Sequence, residues 1–398
     1  MMEVLKSTSK NRKPGGFVMN SNAILAEKLS GVNTDIETGT GEILSDPREN
    51  GEERPWKKYK KLAEILYRIF LLALKFDPAC IADTALFRLA KCSGWLLFRR
   101  YKDKLKLQSA DFCRHRLCPT CNWRKAMKLF GQMREVTTKL QTDFPAARYI
   151  FLTLTVQNCG ADELEETINR MNAGFKLLVS AGKTNASAKP VKANLLGYAK
   201  AMEIKYDPEK YITEKMFRDR KKYYQARGLA IGDENPNCDK YHPHFHVLLM
   251  MKSTFFTSGY IRQEKWAEIW QDCMKLDYRP QVDVRTIKPN DTRKTDDLTS
   301  AISETMKYPV KPDSLKLAEF DAMDAEQKER IVQATITISR VLRSRRLISF
   351  GGAILKARKE LKQDDVEEGD LIGVDGDPVP ETEFELVLYR WRNGMYIC

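Results

Sequence analysis

The chain has 398 residues, 42 % of them hydrophobic, with a formal net charge of +13 and a pI near 9.2. Such a length and apolar content support a substantial core and exclude wholesale disorder. The charge favours a polyanionic partner, nucleic acid before membrane, because the longest apolar run (residues 65–74) is broken by Arg68 and too short to span a bilayer.

Residues 1–55 are rich in Lys, Ser, Asn, Gly and Glu and read as a flexible arm. From residue 56 to 75, Leu62, Ile65, Leu66, Ile69, Phe70 and Leu72 recur at helical spacing beside Lys57, Lys58, Lys60, Lys61 and Arg68. That pattern predicts a core-packed helix with a solvated basic face. A hairpin-like pair follows, residues 94–100 and 104–110, and then Cys113, Cys118 and Cys121 at x4 and x2 spacing. Thiolates at C-x2-C spacing can bite one metal ion, and tetrahedral Zn²⁺ needs four ligands. Cys92, upstream of the hairpin, is the best fourth ligand and His115 the alternative. A site with four protein ligands is closed, so it would hold a fold together rather than catalyse. Arg114, Arg116, Arg124 and Lys125 surround it and are candidate DNA-phosphate contacts.

Residues 149–156 (YIFLTLTV) alternate as a strand and 162–180 as a helix; 196–206 alternates again, and 241–251 is a third strand. Residues 261–276 form an amphipathic helix, 281–287 a fourth strand and 296–308 a last helix. The order β-α-β-β-α-β predicts an α+β, ferredoxin-like antiparallel sheet with helices on one face. An insertion at 207–240 is long enough for its own helix, around 214–227, carrying Arg218, Arg220, Lys221, Lys222 and Arg227. Its charges read as a solvated helix face or as phosphate contacts. Past residue 312 the pattern is helical to about 347. The acidic tract 364–385, with no Lys or Arg, reads as a solvated linker or loop before a closing strand near 384–391. The expected division is arm 1–55, helical and zinc-binding region 56–135, core 145–312, and a mainly helical C-terminal region 313–398 with its acidic linker and terminal strand. The N-terminal residues lack the apolar segment of a secretory signal. Nine cysteines suit metal binding or free thiols better than a disulfide framework, so a reducing cytoplasm is expected.

The chain has only four histidines, and three of them, His242, His244 and His246, share one strand. Strand alternation puts His244 and His246 on one face, with Phe245 and Val247 on the other. Two imidazoles so placed form half of a divalent-metal site. Glu203 is the candidate third ligand if its strand neighbours the histidine strand; the alternative is a solvent-facing glutamate. His242 follows a similar face, beside Pro243 at a strand start or edge, and would contact DNA or close the site. Glu304 and Tyr308 are four apart on the last helix, hence on one face, and Pro309 places Tyr308 at a fraying end.

The blocks FLTLTVQN (151–158), HPHFHVLLM (242–250) and SETMKYPVK (303–311) occur in this order, and together they resemble the three motifs of the HUH endonucleases. The closest resemblance is to the initiators of bacterial rolling-circle plasmids, and the segment FCRHRLCPTCNWRKA (112–126) is also similar to that family. The resemblance spans roughly residues 85–360. It implies a nickase in which His244 and His246 bind Mg²⁺ or Mn²⁺, Tyr308 is the nucleophile, Glu304 serves later hydrolysis and Lys307 assists or contacts DNA. It also implies a stem-loop origin as substrate, a host helicase and polymerase as partners, and compatibility with a homodimer. A transposase or conjugative relaxase shares this chemistry. A non-enzymatic zinc-organised regulator would explain the charge and the cysteines but not the paired histidines.

Overall fold

In the computed structural model of the chain, residues 36–37, 41–48, 50–180, 186–287, 298–306, 312–365, 369–374 and 384–398 are described. Most of the expected arm lies outside these, as do Lys307 and Tyr308.

Two five-stranded sheets organise the fold. The strands are β1 (Ile36–Glu37), β2 (Trp95–Tyr101), β3 (Lys104–Ala110), β4 (Arg148–Thr155), β5 (Leu195–Asp207), β6 (Lys240–Met251), β7 (Val282–Thr286), β8 (Ile348–Gly351), β9 (Glu385–Arg392) and β10 (Met395–Ile397). The main helices are α1 (Trp56–Ala73), α2 (Asp83–Lys91), α3 (Pro119–Asp143), α4 (Leu164–Val179), α5 (Gln263–Met274), α6 (Leu298–Thr305), α7 (Ala325–Leu342) and α8 (Gly352–Glu360).

The central sheet runs β7-β4-β6-β5-β8, every pair antiparallel. Its first four strands carry the split βαβ order expected from the β-α-β-β-α-β pattern. β8 adds a further edge. Its junction with α8 needs Gly352, whose φ is 59° and where an added Cβ would overlap the Leu196 carbonyl oxygen.

Alternation along β6 sends Phe245, Val247, Leu249 and Met251 into one core with Ile150, Leu152, Leu154, Met202 and Ile204. There they meet α4, through Ile168, Met171 and Phe175, and α5, through Trp266, Ile269 and Trp270. The opposite face carries Leu248, Met250, Phe151 and Ala199 against α3 (Leu129, Met133, Val136), α6 (Ala301, Ile302) and α8 (Ile354, Ala357). Helices therefore cover both faces, beyond the single helical layer expected. The second layer comes from segments before and after the β-α-β-β-α-β unit, which the strand pattern alone does not place.

The second sheet is β1-β9-β2-β3, with β10 on β9. The hairpin β2–β3 turns at Lys102, in the left-handed region with φ 52°. β9 pairs antiparallel with β2, so the C-terminal strand closes the sheet that the hairpin opens. Trp56 at the start of α1 is 2 % exposed and packs edge-on against Trp123 and Phe98, joining that sheet to α3.

Three local expectations are corrected, and a fourth is narrowed. Lys60 is not on a solvated face: it is buried and donates to the Cys92 carbonyl at 2.9 Å. The insertion helix is two short ones, Glu214–Asp219 and Lys221–Gln225, broken at Arg220. Residues 312–347 are not one helix; two 3₁₀ segments precede α7. The described part of the acidic tract is a loop with exposed acids, one of the two readings expected, but it is tied to the body and is not a free linker. Leu371 is fully buried, Lys128 pairs with Asp364 at 3.0 Å, and Arg346 pairs with Asp365 at 3.0 Å. Basic residues of other segments pair with the exposed acids, and one buried apolar side chain, Leu371, anchors the loop.

Candidate metal centres

The register of the central sheet builds the first site. Glu203 on β5 lies directly opposite His244 on β6, and Ala201 opposite His246. The short Ala201 side chain leaves room beside the His246 ring. On the other flank Thr153 of β4 faces His246. Glu203 is 1 % exposed, which removes the solvent-facing alternative. Its Oε2 lies 3.0 Å from His246 Nε2 and 3.5 Å from His244 Nε2, and the two Nε2 atoms are 3.1 Å apart.

The other ring nitrogens are held from behind. His244 Nδ1 lies 3.2 Å from the His242 carbonyl oxygen, an acceptor that fixes the proton on Nδ1. His246 Nδ1 lies 3.4 Å from Thr153 Oγ1, and its ring stacks on Phe151. With protons on Nδ1, both Nε2 lone pairs face each other and a carboxylate oxygen inside a buried space. Three electron-pair donors so placed repel unless a cation lies between them. Their 3.0–3.5 Å separations are close to the roughly 3 Å between adjacent ligands of an octahedral ion with bonds of about 2.1 Å. The donor set therefore fits a divalent ion that keeps further positions open.

His242 shares this face, stacked on His244 with ring centroids 5.2 Å apart. Its Nδ1 is 2.8 Å from Asn158 Oδ1, and Asn158 in turn donates to Asn237 Oδ1 at 2.8 Å. Burial above all, with the nearby Lys205 cation adding to it, pushes the His242 pKa down to about 3. The His242 ring stacks on His244 while its backbone carbonyl orients the same ring, a supporting contact that the sequence does not reveal. Thr153, Asn158 and Phe151 went unassigned in the sequence. Their signal was there, since all three fall in the FLTLTVQN block.

α6 packs over this part of the sheet, against β6 and β5. Glu304 is half-buried on it, and Thr305 caps inward, donating to the Ala301 carbonyl at 2.8 Å. Tyr308 and Lys307 follow in the chain outside the described residues.

The second site lies at the foot of the β2–β3 hairpin. Cys92 precedes β2 and Cys113 follows β3, so strand pairing brings them together. Cys118 stands at the N-cap of α3, with Pro119 as its first residue and Cys121 in its first turn. The Sγ atoms of Cys92 and Cys118, Cys92 and Cys121, and Cys113 and Cys121 are each 3.6 Å apart. A tetrahedron of sulfurs at about 2.3 Å from a metal has edges of about 3.8 Å. Backbone N–H groups of Arg114 and His115 point at Cys121 Sγ and Cys113 Sγ, at 3.2 and 3.4 Å, an arrangement that favours thiolates. All four thiols are buried, and the described residues contain two clusters able to hold a metal: these cysteines and the Glu203–His244–His246 group. His115 is not a ligand. Its Nδ1 accepts from the Leu117 N–H at 3.2 Å, its ring packs edge-on against Phe70, and burial, with Lys125 and Arg116, pushes its pKa down to about 4.

The four basic candidates around the cysteines separate. Arg124 is fully buried beneath Trp56 and donates to the Leu371 and Ile372 carbonyls, so it anchors the acidic segment and cannot touch DNA. Arg116 is half-buried with a bond to the Arg345 carbonyl, and Lys125 is half-buried. Arg114 is exposed, and its Nη1 donates to the Gly369 carbonyl.

A family model described as "Replication protein" matches residues 104–397. The chain belongs to this Rep replication-protein family. A "Protein rep" of Lactiplantibacillus plantarum is 32 % identical over 356 residues, covering 88 % of this chain and 96 % of the relative. A "Protein rep" of Streptococcus pneumoniae serotype 2 (strain D39 / NCTC 7466) is 32 % identical over 354 residues, 88 % and 93 % of the two chains. A "Replication protein" of Staphylococcus aureus is 31 % identical over 275 residues, 68 % of this chain and 98 % of the relative. No solved structure gives a significant match. The family match runs through both metal-ready clusters except Cys92, and through β9 and β10. Among the described residues, no helix is long and apolar enough to cross a membrane.

Proposed function

We propose that this Rep protein initiates rolling-circle replication of a bacterial plasmid by nicking one strand at the origin, with Tyr308 as nucleophile. The observation that carries the reading is the buried convergence of Glu203 Oε2 with the Nε2 atoms of His244 and His246. In a member of a replication-protein family such a donor set has an evident use, since a phosphodiester is anionic and resists attack.

Glu203, His244 and His246 would hold Mg²⁺ or Mn²⁺, which supplies charge withdrawal and alignment at a scissile phosphate. The phenol oxygen of Tyr308 attacks phosphorus in line. The bond to the leaving 3′-oxygen breaks as the new P–O bond forms. The products are a 5′-phosphotyrosyl link and a free 3′-OH, a primer for a host polymerase behind a host helicase. A phenol of ordinary pKa, about 10, is mostly neutral at pH 7 and must lose its proton to a base. Lys307 is the neighbouring cation that would stabilise the phenolate. At termination Glu304 orients a water to cut the regenerated junction, and the phosphotyrosyl link conserves the bond energy for strand joining. The cysteine cluster takes Zn²⁺, because closed four-sulfur sites suit that ion and supply fold rather than chemistry.

The test is cleavage of a labelled origin stem-loop with Mn²⁺. The wild-type chain should cut one strand, and Tyr308→Phe should bind the same DNA without cutting. Full cutting by Tyr308→Phe would refute the nucleophile assignment.

A further inference from the structure

A groove of about 680 Å³ opens beside the cysteine cluster. Three separate stretches of chain line it: residues 78–88, the loop 113–117, and 339–344 at the C-terminal end of α7. Arg88, Arg114, Arg116 and Arg343 come together there, while Asp83 is the one acid among the described lining residues. Arg88, Arg114 and Arg343 are exposed. Arg343 is aimed by bonds from its Nη2 to the Ala79 and Cys80 carbonyls, at 2.9 and 3.2 Å. Guanidiniums drawn from three segments into one concavity repel each other, and an anion between them relieves that repulsion. Their planar forks match phosphate oxygens. The loop that presents Arg114 and Arg116 starts at Cys113, so the cysteine cluster fixes its shape.

Two further features select the occupant. Among the described lining residues there is no Phe, Tyr or Trp, and the one aromatic ring, His115, is packed edge-on against Phe70, so the groove offers little platform for unstacked bases, the usual device for single strands. Cys80, Ile81, Cys113 and Leu117 behind it belong to the core on the sheet face opposite the Glu203 triad. The groove is thus separate from the cutting site. We infer that it grips the phosphate backbone of duplex DNA flanking the nick, a second contact held in shape by the cysteine-bound loop. This rests on the reading of the chain as an origin nickase, and it names the surface that holds the paired arm of the substrate.

The experiment is fluorescence anisotropy of the full chain, without added divalent ion, on a labelled duplex and on a labelled oligo-dT of equal length across a salt series. Arg88→Ala is the primary variant, because Arg88 is exposed and forms no ion pair among the described residues. Arg343→Ala and the double variant follow. Each lost arginine should flatten the slope of log K against log salt on the duplex by about 1, with a several-fold loss of affinity at low salt. The loss on oligo-dT should be smaller. An unchanged slope on the duplex for Arg88→Ala and the double variant overturns the proposal, as does an equal loss on oligo-dT. Binding is read without cleavage, so a failure of the nickase reading would leave these slopes intact.

Discussion

His242 makes the fold acid-sensitive by a calculable amount. Its ring is half-buried, bonded to Asn158, and its pKa lies at about 3 in the folded chain, against about 6.5 when unfolded. Between those values the unfolded chain binds a proton that the native chain does not. Stability is therefore full above pH 6.5 and falls as the pH drops toward 3. At pH 5 the folded ring is still neutral and the unfolded one mostly charged. The penalty there is about 1.5 units at 1.36 kcal/mol each, or about 2 kcal/mol. His242→Gln removes the titration while retaining an amide that can reach Asn158. Urea unfolding of both proteins at pH 7.5 and 5.0 cancels the groups they share. The wild type should lose about 2 kcal/mol more than the variant over that interval. Equal losses would show that His242 is already protonated in the native state at pH 5, and would refute its assignment as a neutral buttress of His244.

Three other outcomes are expected. Glu203→Gln keeps the side-chain volume but replaces the shared carboxylate oxygen, so Mn²⁺ affinity by calorimetry should fall at least about tenfold with the circular dichroism spectrum unchanged; unaltered affinity would remove Glu203 from the ligand set. Cys92→Ser deletes one of four sulfurs, and native mass spectrometry should show loss of a bound zinc together with a lower melting temperature; retained zinc would point to a different fourth ligand. Glu304→Ala should still nick the origin but leave the covalent complex unresolved at termination, whereas equal loss at both steps would assign Glu304 to the first cleavage.

What the sequence made legible is what depends on local periodicity. Alternation in HPHFHVLLM put His244 and His246 on one face, and alternation in AMEIKY put Glu203 opposite Met202 and Ile204; the register of β5 with β6 agrees with both. Cys92 was identified because a hairpin returns the chain to its starting point. What stayed hidden depends on contacts between distant segments. Nothing local distinguishes Arg124, buried under Trp56 and bonded to carbonyls of residues 371 and 372, from the exposed Arg114. The burial of Lys60 likewise needs the Cys92 carbonyl, contributed by another element. The anchoring of the acidic loop is hidden because its charge partners, Lys128 and Arg346, lie in other segments of the chain. The second helical layer was missed for the same reason, since α3 and α8 flank the β-α-β-β-α-β unit instead of belonging to it.

The central claim is that the Tyr308 oxygen becomes bonded to DNA at a phosphate served by the Glu203, His244 and His246 cluster. Incubation of the chain with an origin stem-loop and Mn²⁺, then proteolysis and mass spectrometry of the DNA-linked peptide, tests it directly. A 5′-phosphonucleotide carried on Tyr308, absent from His244→Ala, is the predicted result. An adduct on another residue, or cleavage of the DNA with no covalent adduct at all, would contradict the account.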